Sequence, residues 1–332
     1  MTDPRVSVVI TTYNRADLLP RAVDSVLQQR YALNDIEIVL VDDGSTDNTR
    51  QLVADRYGHV PTVRYFHKPN GGINSASQYG IRQARGEIVA QLDSDDYWYP
   101  NKLATCVPMF DRADDVVAVL HDLDVVQDST GQKKGTWFGS AGTFLTPEPQ
   151  NVLPRYLAGE SIKAITSGAL WRRAALEKVL PIPEGLWGFH DAYFMRNVMF
   201  YGRYCGTSEC LGAYVLHDSN DYGGVGPQTD DAKLARLLRE CKVMSDSFNR
   251  RCAEFNVPLA SRRHEIQKFA VAELELERLR RADRGQAVGW VLRNDLQLSN
   301  HARVQLMTNL VLPPRLASFV KARVLSRLGA LD

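Results

Sequence analysis

The sequence predicts an α/β fold: a mostly parallel sheet flanked by helices, followed by a C-terminal α-helical region. Three observations predict it. Short β-branched runs alternate with helix-like stretches over residues 1–125. The first two runs, "RVSVVITTYN" and "IEIVLVDDGS", are apolar on both faces, as strands buried inside a parallel sheet are. Beyond residue 225 the pattern becomes helical and charge-rich.

The elements follow in order. After the first strand, residues 16–29 read as a helix. The second strand ends in "DDGSTD", where Gly44 makes a turn and Thr46 or Asp47 caps a helix over 47–57. "TVRYFHKP" is a third strand, and residues 74–85 form a helix stopped by Gly86. "GEIVAQLDSDD" is the fourth strand, then a helix over 101–110, then the strand "DVVAVLHDLDVV". Strands and helices alternating in this way imply right-handed crossovers. "QDSTGQKKGTW" reads as a turn or hairpin, and residues 166–180 as a helix packed around Leu170 and Leu176. "HDAYFMRNVMFYG" is a helix closed by Gly202, and "RYCGTSECLGAYVLHD" is one or two strands. "GGVGP" breaks every pattern near residues 223–227. The expected organisation is therefore an α/β domain over 1–225, with halves 1–125 and 126–225, and a helical region over 226–332.

Composition excludes several classes. The 332-residue chain is 44% hydrophobic and 24% charged, with a formal charge of +1, so there is no basic excess of the kind nucleic-acid binding requires. Five cysteines without a CxxC pair argue against a disulfide framework and a zinc site, and for a reducing compartment. The N-terminus lacks secretory character, and no apolar run approaches the ~20 residues of a membrane span. The expectation is a cytoplasmic protein, or one peripheral to the inner face of the membrane.

Parallel sheets bind ligands at the carboxyl ends of their strands. Three polar clusters should share that edge: "TTYNR" at 11–15, "DDGSTD" at 42–47 and "DSDD" at 93–96. Three carboxylates within four positions repel one another unless a cation neutralises them. The competing explanation is an N-cap cluster ahead of a helix over 97–110.

"VSVVITTYNR", "VLVDDGSTDNT", "NGG" and "GEIVAQLDSDDYWYPNKL", in this order and spacing, resemble the family 2 glycosyltransferases, which have the GT-A fold. The resemblance covers roughly residues 4–220. It implies an inverting, metal-dependent transfer from a nucleotide-diphospho-sugar to the hydroxyl of a glycan or lipid-linked acceptor. UDP is the preferred nucleotide, with GDP or dTDP open. Asp93 and Asp95 form the Asp-x-Asp pattern, whose hard oxygen ligands suit Mn2+ or Mg2+. The resemblance makes Asp95 a direct ligand, gives Asp93 and Ser94 to the nucleotide-sugar, and sends Asp93 to the ribose or a metal-bound water. Asp96 faces the acceptor or caps the following helix. His217 matches a late histidine that completes the metal site.

The same resemblance gives the base and ribose to Thr11, Tyr13 and Arg15 after the first strand and to Asp42 or Asp43 after the second, with Asp43 favoured for the base. Lys68, Gly71 and Gly72 open the third helix, where backbone approach and added positive charge suit a nucleotide. One departure stands out. Family members often carry Ala-Arg-Asn where this chain has Ala76, Ser77 and Gln78, so an expected arginine is missing. "LWGFHDAYF" carries the base: Asp191 matches the family's acidic residue and His190, an alternative base or acceptor contact, replaces a Glu. Asp191 also reads as a helix N-cap. Trp98 and Trp187 are candidates to stack on acceptor sugars, or are core.

Two further expectations concern the C-terminal part. The glycine-rich stretch 218–226 is expected to close over the donor. Leu316, Val320, Val324, Leu328 and Leu331 recur at helical spacing among Arg315, Lys321, Arg323 and Arg327, which suits a peripheral membrane contact or packing, including homodimer packing through the C-terminal helices. Two rival functions place different residues at these positions. A sugar-1-phosphate nucleotidyltransferase places a glycine-rich loop with arginine after its first strand, where this chain has "TTYNR". A non-catalytic nucleotide-sugar-binding module would not need Asp93, Asp95 and Asp191 together.

Overall fold

The computed structural model describes residues 3–139, 146–160, 162, 164–217, 231–258, 287 and 306. The chain divides into two compact units, Met1–Tyr156 with Glu160–Tyr222, and Leu157–Gly159 with Gly223–Asp332.

The first unit is built on one sheet of nine strands. β1 (Val6–Thr12), β2 (Ile36–Asp42), β3 (Val63–His67) and β4 (Ile88–Asp93) run parallel in the spatial order β3-β2-β1-β4. Val6, Val8 and Ile10 are fully buried with Ile38 and Leu40, and so is Val9 on the other face, which explains why these strands read as unbroken apolar runs. β5 (Tyr97–Trp98) follows the acidic motif. The helices α1 (Leu19–Leu27), α2 (Thr49–Tyr57) and α3 (Ile73–Gln83) make the crossovers; α1 turns Leu19, Ala22, Val23 and Val26 into the core. α4 (Lys102–Cys106) runs into a 3-10 segment, Val107–Arg112.

β6 (Val116–Gln127) forms a hairpin with β7 (Lys133–Thr136), as the turn signals at 127–137 suggested. α5 (Leu153–Leu157) follows. The helix expected over 166–180 is not what forms. A 3-10 turn, Thr166–Gly168, leads into β8 (Ala169–Arg172) and then a short helix, α6 (Arg173–Glu177). β8 lies antiparallel between β4 and β6, so Leu170 is a strand residue buried by its neighbours on both sides. α7 (His190–Val198) precedes β9 (Arg203–Leu216), a single long strand parallel to β6.

This topology decides what shares an edge. β8 reverses direction between β4 and β6, so β6 again runs with β4, and β9 runs with β6. The C-terminal ends of β1, β2, β4 and β9 therefore face the same way, and residue 217 emerges where residues 12, 42 and 93 do.

In the second unit the described helix is α8 (Asp231–Glu254), which buries Leu238, Met244, Phe248 and Cys252. Among the described residues no helix is long and apolar enough to cross a membrane. The stretch 218–226 and the stripe from Leu316 to Leu331 lie outside the described residues.

Candidate active site

The acidic tip of β4 is a tight turn in which the Asp96 N–H donates to the Asp93 carbonyl (3.1 Å). Its carboxylates take three different roles. Asp95 Oδ2 accepts from Arg15 Nη1 (2.6 Å) and lies 2.9 Å from His217 Nε2. Asp93 sits beside Thr11 across the β1–β4 ladder, and its Oδ1 is buried without a hydrogen-bond partner. Burial, then the charges of Asp95, Asp96 and Asp191, raise the Asp93 carboxyl well above its usual range; Arg15 opposes them. Asp96 turns inward. Its Oδ2 accepts from Ser167 Oγ (2.6 Å) and its Oδ1 from the Val215 N–H (2.9 Å), and burial pushes it up to about 8. The expectation that Asp96 caps a helix or meets an acceptor is thus corrected: β5 follows it, the helix starts at Lys102, and Asp96 ties the acidic turn to β9 two residues before His217.

The loops after β1 and β2 are joined to each other. The Asn14 N–H donates to Ser45 Oγ (2.9 Å) and Asn14 Oδ1 accepts from the Thr46 N–H (2.8 Å). Asp47 accepts from the N–H groups of Thr49 (3.0 Å) and Ala16 (3.2 Å), which fixes the entry to α2 and lowers its own pKa against the opposing effect of burial. Gly44 has φ +85°, and a Cβ there would lie 2.8 Å from the Asn70 nitrogen, so the turn needs glycine. Asp42 is buried and satisfied by Tyr65 Oη (2.6 Å) and the Ser45 N–H (2.8 Å). Asp43 accepts from Lys68 Nζ (2.5 Å) and from the N–H groups of Gly71 (3.1 Å) and Gly72 (2.7 Å). The structure brings Asp43, Lys68, Gly71 and Gly72 together, but as a closed network. Lys68 spends its charge on Asp43 rather than presenting it to a ligand. Tyr13, in contrast, is 47% exposed.

Asp191 opens α7, part-buried, with Oδ1 accepting from the adjacent Ala192 N–H (2.6 Å). Its carboxyl is raised to about 6 by burial, and hydrogen bonding to the Thr166 backbone is among the effects that hold it down. The residue ahead of α7, Phe189, adopts φ 56°, a left-handed conformation that a bulky side chain takes only under constraint. Asn74 Nδ2, at the start of α3, donates to the carbonyls of Leu186 (2.7 Å) and Gly188 (3.1 Å). It grips the loop on both sides of Trp187, which is 63% exposed.

Two candidates are corrected. Trp98 is 3% exposed, with Nε1 donating to the Ser167 carbonyl (2.9 Å) and Lys102 Nζ 3.4 Å from its ring centroid. It has no face to offer an acceptor. His190 is 3% exposed, packs edge-on against Phe194, and is pushed down to about 4 by burial. It is a neutral interior ring, not a base on the cleft. Ser94 is buried within the turn. Ser77, where the family's arginine would stand, is fully buried and accepts from Gln91 Nε2 (2.6 Å), and Gln78 Oε1 accepts from the Ile182 N–H (3.3 Å). These positions serve packing in this chain.

The sequence pattern gave no sign of three further residues. Ser167 links the acidic turn to the interior: its Oγ donates to Asp96 and accepts from the Asp93 N–H (3.2 Å), and its carbonyl accepts from Trp98 and Lys102 Nζ (2.8 Å). Lys102 is fully buried, which drives its ammonium well below the usual range. Arg21, from α1, donates to the Asp95 carbonyl (3.0 Å) and to Asp128 (2.8 Å). Each acts through partners more than 60 residues away, which no local pattern records.

The donor set fits a hard divalent ion. Two neighbouring ligands of an octahedral ion bonded at about 2.1 Å lie ~3.0 Å apart, and Asp95 Oδ2 and His217 Nε2 are spaced at 2.9 Å. The unpartnered buried Asp93 Oδ1 is a further oxygen in want of a donor or cation. Among the described residues no three His, Cys, Asp or Glu side chains form a ready cage.

A sheet of this order, with carboxylates pooled at the tips of its parallel strands, is that of the GT-A glycosyltransferases. Solved structures agree on the fold. One is Staphylococcus aureus TarS 1-349 in complex with UDP-GlcNAc (TM-score 0.58, 20% identity, 92% of this chain and 79% of that one). Another is the Pyrobaculum calidifontis mannosyltransferase PcManGT in complex with GDP-Man and Mn2+ (TM-score 0.51, 20% identity, 96% and 87%). A family profile described as Glycosyl transferase family 2 matches residues 7–180. An uncharacterized glycosyltransferase of Nostoc sp. is 35% identical over 231 residues, 68% of this chain and 69% of the relative. A chondroitin synthase of Pasteurella multocida is 45% identical over 107 residues, 32% of this chain but 11% of the synthase. The chain belongs to glycosyltransferase family 2.

Proposed function

We propose that this glycosyltransferase moves a sugar from a nucleotide-diphospho-sugar, with UDP as nucleotide, to an acceptor hydroxyl with inversion, using Mn2+ or Mg2+. The observation that carries the reading is the acidic turn: a buried, unpartnered Asp93 oxygen beside Asp95 and His217, with Asp191 close enough to raise the Asp93 carboxyl. UDP-GlcNAc in TarS and GDP-Man with Mn2+ in PcManGT support a nucleotide-sugar donor and a divalent ion.

In this reading Tyr13 stacks on the base, and Thr11 and Asp93 reach the ribose. Asp43 keeps Gly71 and Gly72 folded beneath the nucleotide. Asp95 and His217 would hold the ion, with Asp93 reaching a water of the ion or the ribose, and the ion would neutralise charge on the leaving diphosphate. Asp191 accepts the proton of the acceptor hydroxyl as that oxygen attacks the anomeric carbon. Its raised pKa places it near the operating pH, where a general base is most effective. Trp187 offers its exposed ring to the acceptor sugar. We assign the reaction to residues 1–225, and a role in glycan, polysaccharide or glycolipid synthesis. The C-terminal helical region would then carry peripheral membrane contact or dimerisation.

A melting-temperature screen of UDP-, GDP- and dTDP-sugars, with and without Mn2+, tests the donor, since a ligand that binds only the native state raises the transition. A shift that needs both UDP-sugar and Mn2+ is expected. The absence of any shift across all three nucleotides would refute the reading.

A further inference from the structure

The inference rests on the donor reading above and concerns Arg15. Its Nη1 lies 2.6 Å from Asp95 Oδ2 and 3.0 Å from His217 Nε2, and those two atoms are 2.9 Å apart. A permanent cation thus sits against the two side chains best spaced to ligate a divalent ion. Arginine does not lose its proton in proteins, so this charge cannot be switched off. The Arg15 and Asp95 side chains are only 22% and 16% exposed, so water screens the pair incompletely. A divalent ion on Asp95 would place two positive charges beside a third. Arg15 and the ion therefore compete for Asp95 Oδ2 and for His217 Nε2.

The two arginines at this edge differ in how firmly they are held. Arg21 is anchored by a backbone carbonyl, by Asp128 and by the Tyr97 ring. The Arg15 side chain has no hydrogen-bond partner among the described residues beyond Asp95 and His217. Once those two are taken, nothing else among the described residues retains it. A diphosphate arriving with the metal is a natural recipient, because guanidinium pairs with phosphate oxygens in bidentate fashion.

We propose that Arg15 is a resident cation that keeps the metal ligands occupied until donor arrives: a divalent ion displaces it from Asp95 and His217 only together with a nucleotide diphosphate, which receives the freed guanidinium. Metal and nucleotide then bind with positive coupling, and the coupling is reciprocal. This role goes beyond a nucleotide contact and makes the opposite prediction for metal binding alone. If Arg15 merely touched the nucleotide, its removal would leave Mn2+ affinity unchanged in the absence of nucleotide. As the resident cation, its removal must tighten Mn2+.

The test measures Mn2+ binding to the full chain by electron paramagnetic resonance of free Mn2+, with and without saturating UDP. It compares wild type with Arg15→Ala, Arg15→Gln and Arg15→Lys. Wild type is expected to bind Mn2+ roughly tenfold more tightly with UDP than without. Both neutral variants are expected to bind Mn2+ alone roughly tenfold more tightly than wild type and to lose most of the gain from UDP. Arg15→Lys, which keeps the charge, should stay near wild type. Arg15→Gln preserves length and hydrogen-bond donors, and circular dichroism identifies any variant that has not folded. Equal or weaker Mn2+ binding by the folded neutral variants, with UDP-dependent binding intact in wild type, overturns the role of Arg15 and leaves the donor reading standing. No Mn2+ binding by wild type even with UDP, GDP or dTDP overturns both.

Discussion

Ser167→Ala removes one oxygen from the interior and should disturb the acidic turn without touching any ligand. The Ser167 hydroxyl donates to Asp96 at 2.6 Å and accepts from the Asp93 N–H at 3.2 Å, and the residue is fully buried. A hydrogen bond between neutral groups, as Asp96 is below about 8, contributes about 0.5–1.5 kcal/mol net, and a buried polar group left without a partner costs about 1–3 kcal/mol. The second bond is long, so its loss belongs at the low end, and the sum is about 2 kcal/mol. For a unit of this size each kcal/mol moves the melting temperature by roughly 2–4 °C. The expected drop is therefore roughly 4–8 °C. Two units need not unfold together. The assay is therefore differential scanning calorimetry, following the transition that UDP with Mn2+ raises. A drop below ~2 °C would mean that water or backbone movement replaces the lost oxygen, and the account of Ser167 as the tie between the acidic turn and the interior would be wrong.

Other expectations follow from the same geometry. Asp191→Asn should keep donor binding and lower transfer by roughly 10²–10⁴-fold, read by calorimetric titration beside a turnover assay. Because Asp191 must be ionised to accept a proton and its pKa is raised to about 6, kcat should fall as pH drops through about 6 and stay level above it; a profile flat down to pH 5 would remove Asp191 from the role. Trp98→Phe loses the Nε1 bond to the Ser167 carbonyl and should cost about 1–2 kcal/mol of stability with acceptor KM unchanged, whereas Trp187→Ala, on the surface, should raise acceptor KM and leave the melting temperature alone. Gly44→Ala forces a Cβ against the Asn70 backbone at φ +85° and should destabilise by about 1–3 kcal/mol, measured by urea titration.

The parallel half of the fold was legible because its strands are buried on both faces and its helices are separated by turns with their own chemistry. The edge carrying "TTYNR", "DDGSTD" and "DSDD" followed from strand direction alone. β8 was not legible: its four residues gain strand character only from β4 and β6, which are paired to it from 80–84 and 49–53 positions away. Read locally, "SGALWRRAALEKVL" is a helix. Trp98 and His190 failed for a related reason. Their side chains look functional beside acidic neighbours, yet Trp98 finds its partner in Ser167 and His190 packs on Phe194. Polar and aromatic residues near a motif do not reveal which face of the chain they occupy. His217 was recoverable only through family resemblance, since a lone histidine carries no spacing. That Asp42 and Asp43 are fully engaged, and that Lys68 is neutralised, appears only once the loops are closed on each other.

The parallel return of β9 has a consequence for synthesis of the chain. Arg15 and His217 meet across 202 positions, and the strand delivering His217 is the last of the sheet to leave the ribosome. A nascent or truncated product ending near residue 180 would contain every residue the family profile matches, yet it would lack Asp191, β9 and the histidine beside Asp95. Such a fragment would display the family's motifs in full and still lack the strand that sets a histidine beside the acidic turn.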